Sequence, residues 1–231
     1  MKAAVIAEAG TAHLGDLGRA KHLATYAAWA GADAIKFQWF SYPTPDTMFC
    51  WLKGDEARVD RWHKSRMPFD YWRRVKDHCD ELGIRLMASC FEDTTVRWQV
   101  RLGLPVVKVA SRAAGRYPYR LVQDKYKLIS DGMIPRHGMI WPSNSVRMQC
   151  TAQYPAEVPW MNHPPCMAPT GYSSHSKGPF LAIDALALGC KLVEVHFCCA
   201  PMAWAGPDEP VSLTADELKF VCEARDYYDD K

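Results

Sequence analysis

Eight short apolar runs recur along the 231 residues, and stretches with helical spacing stand between most of them. The runs are Ala3–Ala9, Asp33–Phe37, Ile84–Ser89, Val106–Ala110, Lys127–Ser130, Val146–Thr151, Thr170–Ser173 and Leu192–His196. Helical spacing covers Leu17–Ala30, Phe69–Leu82, Asp93–Leu102, Pro179–Leu188 and Thr214–Asp226, with a shorter piece at Pro118–Gln123. In the first of these, Leu17, Ala20, Leu23, Ala24, Ala27 and Ala28 repeat at three- and four-residue steps until Gly31 stops them. Thr214 with Glu217 forms a capping box. Alternation of this kind predicts parallel strands joined by right-handed crossovers. Eight units predict a closed α/β barrel, the (β/α)8 TIM barrel, as one domain over residues 1–231. Two units are short of a helix. Gly132–Asn144 has no room for one, and Tyr154–Pro169 carries five prolines, so helices five and six are expected to be trimmed to loops. A doubly wound sheet is the other architecture, but no GxGxxG follows the first run, which leaves dinucleotide binding without support.

Composition excludes several classes. Formal net charge is +2 with 23% charged residues and no block of like charge, so no nucleic-acid partner is expected. No apolar stretch approaches the ~18 residues of a membrane span, and Met1–Ile6 runs into the first strand without a signal-peptide layout. The nine cysteines are odd in number and sit mostly in apolar runs, which suits reduced thiols in a cytoplasmic protein better than a disulfide framework. The vicinal pair Cys198-Cys199 cannot easily supply two tetrahedral ligands. Trimmed helices would expose barrel wall, so a homo-oligomer is expected to cover it.

In such a barrel, chemistry lies where strands end. Two consecutive runs close on a histidine, His175 after Gly171-Tyr172-Ser173-Ser174 and His196 after Val193-Glu194-Val195. Neutral imidazoles at neighbouring strand ends suit a divalent transition metal; the alternative is local hydrogen bonding. Glu8 ends the first run, Lys36 and Gln38 the second, Ser89 the third, Lys108 and Ser111 the fourth, and Ser130 the fifth. Tyr154 follows the sixth, Ser173 belongs to the seventh, and Glu194 to the eighth. A lysine inside an apolar strand costs desolvation unless an anion pairs with it. Lys36 and Lys108 with several hydroxyls at one rim therefore suit a small, doubly charged anion such as a phosphorylated carboxylate; the alternative is pairing with structural carboxylates.

Several motifs resemble those of the N-acetylneuraminate (sialic acid) synthases. Ile6-Ala7-Glu8-Ala9-Gly10 with His13 and Gly15-Asp16 is similar to their opening motif, and Gly31–Gln38 to their second-strand motif. Val107–Ser111, Ser130–Met133, Cys150–Pro155, Gly171–His175, Glu194–Phe197 and Gly206–Asp208 follow in family order, so the resemblance runs from about Val5 to Arg225. Relatives making legionaminic and pseudaminic acids share these motifs. The resemblance implies condensation of phosphoenolpyruvate with an aldehyde acceptor, an N-acylated amino sugar, releasing phosphate. It implies that Lys36, Lys108, Ser111, Ser130 and Ser173 hold phosphoenolpyruvate, with Gln38 also facing substrate. It further implies that His175 and His196 bind a divalent metal, Mn2+ by preference. Glu8 would position or deprotonate water, Asp208 would serve the sugar or proton transfer, and Tyr154 would line the acceptor pocket. Unless burial raises its pKa, Glu8 is expected to stay ionised beside the lysines.

The departures bear on the acceptor. Ala152 and Ala12 stand where the family usually has asparagine, and Ser174 stands where it has an acidic residue beside the histidine. No counterpart of the family's C-terminal antifreeze-like domain is expected in these residues. An altered acceptor is therefore expected, with the long aromatic insertion Trp39–Trp62 as a new acceptor wall or lid.

Overall fold

The computed structural model describes residues 2–134, 141–156, 171–199, 204 and 206–230. Eight parallel strands close in sequence order into a barrel: β1 (Ala4–Gly10), β2 (Ala34–Trp39), β3 (Arg85–Cys90), β4 (Val106–Val109), β5 (Tyr126–Ser130), β6 (Ser145–Gln149), β7 (Gly171–Ser174) and β8 (Leu192–His196). β1 pairs with β8, Glu8 opposite His196, which seals the ring. The outer helices are α1 (Leu17–Trp29), α3 (Phe69–Leu82), α4 (Asp93–Arg101), α5 (Phe180–Ala187) and α6 (Ala215–Asp229). Their caps follow the sequence signals: Asp16 accepts from the Arg19 N–H at 2.7 Å, Gly83 closes α3 at φ 72°, and Thr214 with Glu217 caps α6.

Three connections differ from the regular unit. The one after β4 is a single 3-10 turn at Tyr119–Val122, shorter than the helix its spacing suggests. After β5, residues 131–134 and 141–144 hold no helix; residues 135–140 lie outside the described set. The expected loop after β6 falls largely on residues 157–170, also outside it. The insertion after β2 is better ordered than an irregular loop, with a 3-10 turn at Asp55–Arg58 and a short helix α2 (Val59–Lys64). Three of its aromatic residues, Trp39, Phe40 and Trp62, belong to the core and not to an acceptor wall. Trp39 and Phe40 are fully buried, and Trp62 stacks on Phe40 with centroids 5.5 Å apart. Burying these rings stabilises the segment by roughly 25 cal/mol per Å² of apolar surface, which argues against a free lid.

The strand period of two sorts the side chains. Val5, Ala7, Ile35, Phe37, Val107, Val109, Val193 and Val195 face the helices in one large cluster. Ile6, Ala34, Met87, Leu128 and Met148 form a separate cluster inside the barrel. Gly171 completes this inner packing, since a Cβ there would meet the Met148 sulfur at 2.2 Å. Two residues further along the strands, the interior turns polar. A cavity of about 760 Å³ opens at the opposite, N-terminal mouth, walled by Ile6, Met87, Leu128, Val146 and Leu192. Conservation of chemistry at the C-terminal face of such barrels places the site at the other end. Among the described residues no helix is long and apolar enough to cross a membrane, and eight cysteines are unbridged.

His13 serves the packing. It is fully buried edge-on to Phe37 and Trp72, at 5.6 and 5.2 Å, and its Nδ1 accepts the Gly15 N–H at 3.1 Å. Burial lowers its pKa from 6.5 to about 3. The unfolded chain therefore binds this proton first, and stability falls as pH drops from 6.5 towards about 3, with a slope approaching about 1.4 kcal/mol per pH unit. Urea unfolding of wild type and His13→Gln from pH 7 to 4 should give a shallower slope for the variant. Parallel curves would contradict this account.

Candidate active site

Inward-facing residues of seven strands build one buried polar layer. Lys36 Nζ lies 2.7 Å from Glu8 Oε2 and 3.6 Å from Glu194 Oε2, and donates to Ser89 Oγ at 2.9 Å. Lys108 Nζ donates to Ser130 Oγ at 2.8 Å and lies 3.3 Å from Glu194 Oε1. Ser173 Oγ donates to the same Glu194 oxygen at 2.9 Å. All of these side chains are buried. The register explains the assembly: Glu8 sits opposite Lys36, Ser89 opposite Lys108, and Ser173 opposite Glu194. Two lysines and two glutamates leave the layer neutral, as burial demands.

Each charge responds to its neighbours. For Glu194, burial alone would raise the carboxyl pKa, but Lys108, Lys36 and the Ser173 hydroxyl hold it down at about 2. Burial likewise opposes the Lys36 ammonium, yet Glu194 and Glu8 together raise its pKa. Lys108 moves down, because burial and the Lys36 charge outweigh Glu194. Glu8 moves up through burial, with Lys36 opposing and Glu194 adding. The exception attached to Glu8 from sequence therefore applies: burial raises its pKa and favours proton uptake, while Lys36 at 2.7 Å favours the carboxylate.

Above this layer sit the two imidazoles, their ring centroids 5.4 Å apart. His175 directly follows β7 and His196 ends β8. His175 Nδ1 lies 2.5 Å from the Thr151 carbonyl, so it must carry the proton and leave Nε2 as an acceptor. The Tyr154 hydroxyl meets that Nε2 at 2.9 Å, and its ring stacks on His175 at 4.1 Å. Burial, reinforced by His196, lowers the His175 pKa to about 3, keeping it neutral. The backbone of Thr151 therefore supplies the orientation that the family draws from an acidic neighbour; Ser174 bonds Ser176 instead, at 2.8 Å.

Asp208, in a 3-10 turn at Gly206–Val211, places Oδ2 3.9 Å from His196 Nδ1. Gly10 makes room for this convergence. A Cβ there would lie 3.3 Å from Asp208 Oδ2, 3.5 Å from Glu8 Oε1 and 3.7 Å from Gln38 Nε2. The fold thus gathers Glu8, Lys36, Lys108, Ser130 and Ser173 into one network and sets His175, His196, Tyr154, Asp208 and Gln38 at its mouth. Ser111 is half-buried in the turn after β4, outside the bonds of that network. Sequence reasoning missed the central part of Glu194 and the Ser89 contact. The signal was present: an acidic residue in Leu-Val-Glu-Val-His carries the same desolvation cost as the lysines, and sits two residues before His196 on the same face.

Two imidazoles at neighbouring strand ends, one oriented by a backbone carbonyl, are a donor set that fits a borderline divalent ion. Among the described residues no three His, Cys, Asp or Glu side chains gather around a point, so such an ion would complete its coordination from substrate and water.

The model of the NeuB family matches residues 23–228. The chain belongs to the NeuB family. N,N'-diacetyllegionaminic acid synthase of Campylobacter jejuni is 28% identical over 252 residues, covering 96% of this chain and 75% of that enzyme. Human N-acetylneuraminate-9-phosphate synthase is 29% identical, covering 93% of this chain and 67% of that protein. N-acetylneuraminic acid synthetase of Leptospira borgpetersenii superposes with a TM-score of 0.85 at 21% identity, over 100% of this chain and 85% of that one. The spore coat polysaccharide biosynthesis protein SpsE of Bacillus subtilis gives 0.75 at 25% identity, over 99% of this chain and 68% of that one. Within this NeuB-family barrel Glu8 precedes the matched stretch, but the strand ladder ties it to Lys36 and His196 inside it.

Proposed function

We propose that this barrel condenses phosphoenolpyruvate with an aldehyde acceptor, an N-acyl amino sugar or an altered relative of one, and releases phosphate. The observation that carries the reading is the buried Lys36, Lys108, Ser130 and Ser173 layer directly beneath two imidazoles, in a NeuB-family barrel. The lysines and hydroxyls, with Ser111 and Gln38 at the rim, bind the phosphate and carboxylate. Glu194 neutralises the lysines in the free protein, and an arriving anion competes with it for them. A divalent ion held by His175 and His196, Mn2+ in this reading, supplies Lewis-acid polarisation of the aldehyde oxygen. Carbon 3 of phosphoenolpyruvate attacks the aldehyde carbon, and water captures the oxocarbenium left at carbon 2. Glu8 takes the proton of that water, its raised pKa suiting it to the role. Collapse of the tetrahedral centre breaks the bond from carbon to the phosphate oxygen. Asp208 serves proton transfer beside His196, and Tyr154 lines the acceptor pocket. The reading treats residues 1–231 as one domain that acts in the cytoplasm, with a homo-oligomer covering the wall beside the shortened connections.

Phosphate release from phosphoenolpyruvate, measured with Mn2+ and a panel of amino-sugar aldehydes, tests it. Release that depends on an aldehyde supports condensation. Release without aldehyde would indicate a phosphatase, and none under any condition a non-catalytic barrel.

A further inference from the structure

The insertion after β2 turns its aromatic side into the core and one cation towards the rim. Trp62 packs on Phe40 at 5.5 Å and edge-on to Trp51 at 5.9 Å, which fixes α2. Arg61, its neighbour, then bridges the segments that follow the adjacent strands β1 and β8. Its Nε donates to Thr11 Oγ1 at 2.8 Å, and its Nη2 donates to the Trp204 carbonyl at 2.6 Å. Thr11 follows Gly10, the residue over which Glu8, Gln38 and Asp208 converge. Trp204 lies two residues before the turn that carries Asp208. Gly206, at φ +62°, leaves space for the guanidinium: a Cβ there would meet Arg61 Cζ at 2.1 Å and Nη1 at 2.3 Å. Arg19 covers Trp204 at 4.5 Å, so Trp204 is held on two sides. Asp208 is also the largest attractive charge acting on Arg61, opposing the effect of its burial.

We propose that Arg61 is a positioning residue that clasps the β8 loop to the β1 loop and so holds Asp208 against His196 and Glu8. The inference rests on the proposed condensation and adds a residue from outside the barrel strands to it. A planar guanidinium suits the task because it donates in two directions at once and carries a charge opposite to Asp208. The clasp acts at the acceptor end of the site, away from the Lys36 and Lys108 layer, so it governs acceptor use and leaves phosphoenolpyruvate binding alone.

The test is a double-mutant cycle on Arg61→Gln and Asp208→Asn, with Mn2+, phosphoenolpyruvate and the acceptor that supports wild-type phosphate release. Each single variant should lower acceptor kcat/KM by about 10- to 100-fold, and the double variant should lose little more than the worse single one. The phosphoenolpyruvate-induced thermal shift should persist in Arg61→Gln. Amide exchange over residues 206–211 should speed up in that variant, a readout that needs no turnover. Thr11→Val, which removes one arm of the bridge and keeps the charge, should act in the same direction by a smaller factor; it also serves if Arg61→Gln does not fold. Multiplying losses in the double variant, a lost phosphoenolpyruvate shift, or unchanged exchange over 206–211 would overturn the clasp. A wild type without turnover would defeat the condensation reading and leave the exchange measurement to judge the clasp.

Discussion

Replacing Lys36 by Met should destabilise the protein by about 3–5 kcal/mol, while the double replacement Lys36→Met, Glu8→Leu should recover most of that loss. Lys36 is almost completely buried and lies 2.7 Å from Glu8. Removing it leaves Glu8 in a desolvated barrel with no cation as near, and leaves Glu194 to Lys108 alone. An unpaired buried charge costs more than the pair contributed, so removing both partners relieves what removing one creates. Urea unfolding of the four proteins at neutral pH measures the cycle. A double variant no more stable than the sum of the singles predicts would show that the pair is not the controlling interaction. Both variants should lose the thermal shift given by phosphoenolpyruvate, because binding needs the cation whether or not the fold does. Stability and ligand binding therefore separate in the double variant, which is the mark of a charge kept for function.

The second large effect concerns the imidazoles. His196→Ala or His175→Ala should abolish the thermal stabilisation given by Mn2+, which for the wild type reaches about 2.7 kcal/mol at a hundred times the dissociation constant. Turnover should fall by at least about 100-fold, the size expected when a group stabilising developing charge is removed. Tyr154→Phe should retain the Mn2+ shift, since Tyr154 only bonds the Nε2 of His175 and leaves both ring donors in place. Thermal melts across a Mn2+ series decide the matter without any assay of activity. A full Mn2+ shift in both alanine variants would place the ion elsewhere.

Much of the fold was readable because its signals are local. α3 occupies Phe69–Leu82, the span its spacing predicts, and β8 occupies Leu192–His196, because periodicity and glycine stops act over a few residues. The lysines could be singled out by the cost of burying a cation in Ala-Ile-Lys-Phe and Val-Val-Lys-Val. The insertion could not be read so well. Trp39, Phe40, Trp51 and Trp62 have no common period, and their burial depends on Phe91, Trp72 and other distant residues that only the folded chain brings to them. The orientation of His175 was hidden for a different reason. A backbone carbonyl provides it, and residue type at position 151 does not encode where that carbonyl points.

By itself the sequence determined the alternation of strands and helices, hence a closed parallel barrel, and which residues stand at its strand ends. Those follow from side-chain period, capping and turn residues, all of them near-neighbour effects. Tertiary structure decided which of these polar residues meet. Glu194 faces both lysines only because β8 closes the ring beside β1 and β7. Arg61 reaches the Asp208 loop only because Trp62 is drawn into the core. Distances between residues far apart in the chain are set by ring closure and packing, and no local pattern carries them.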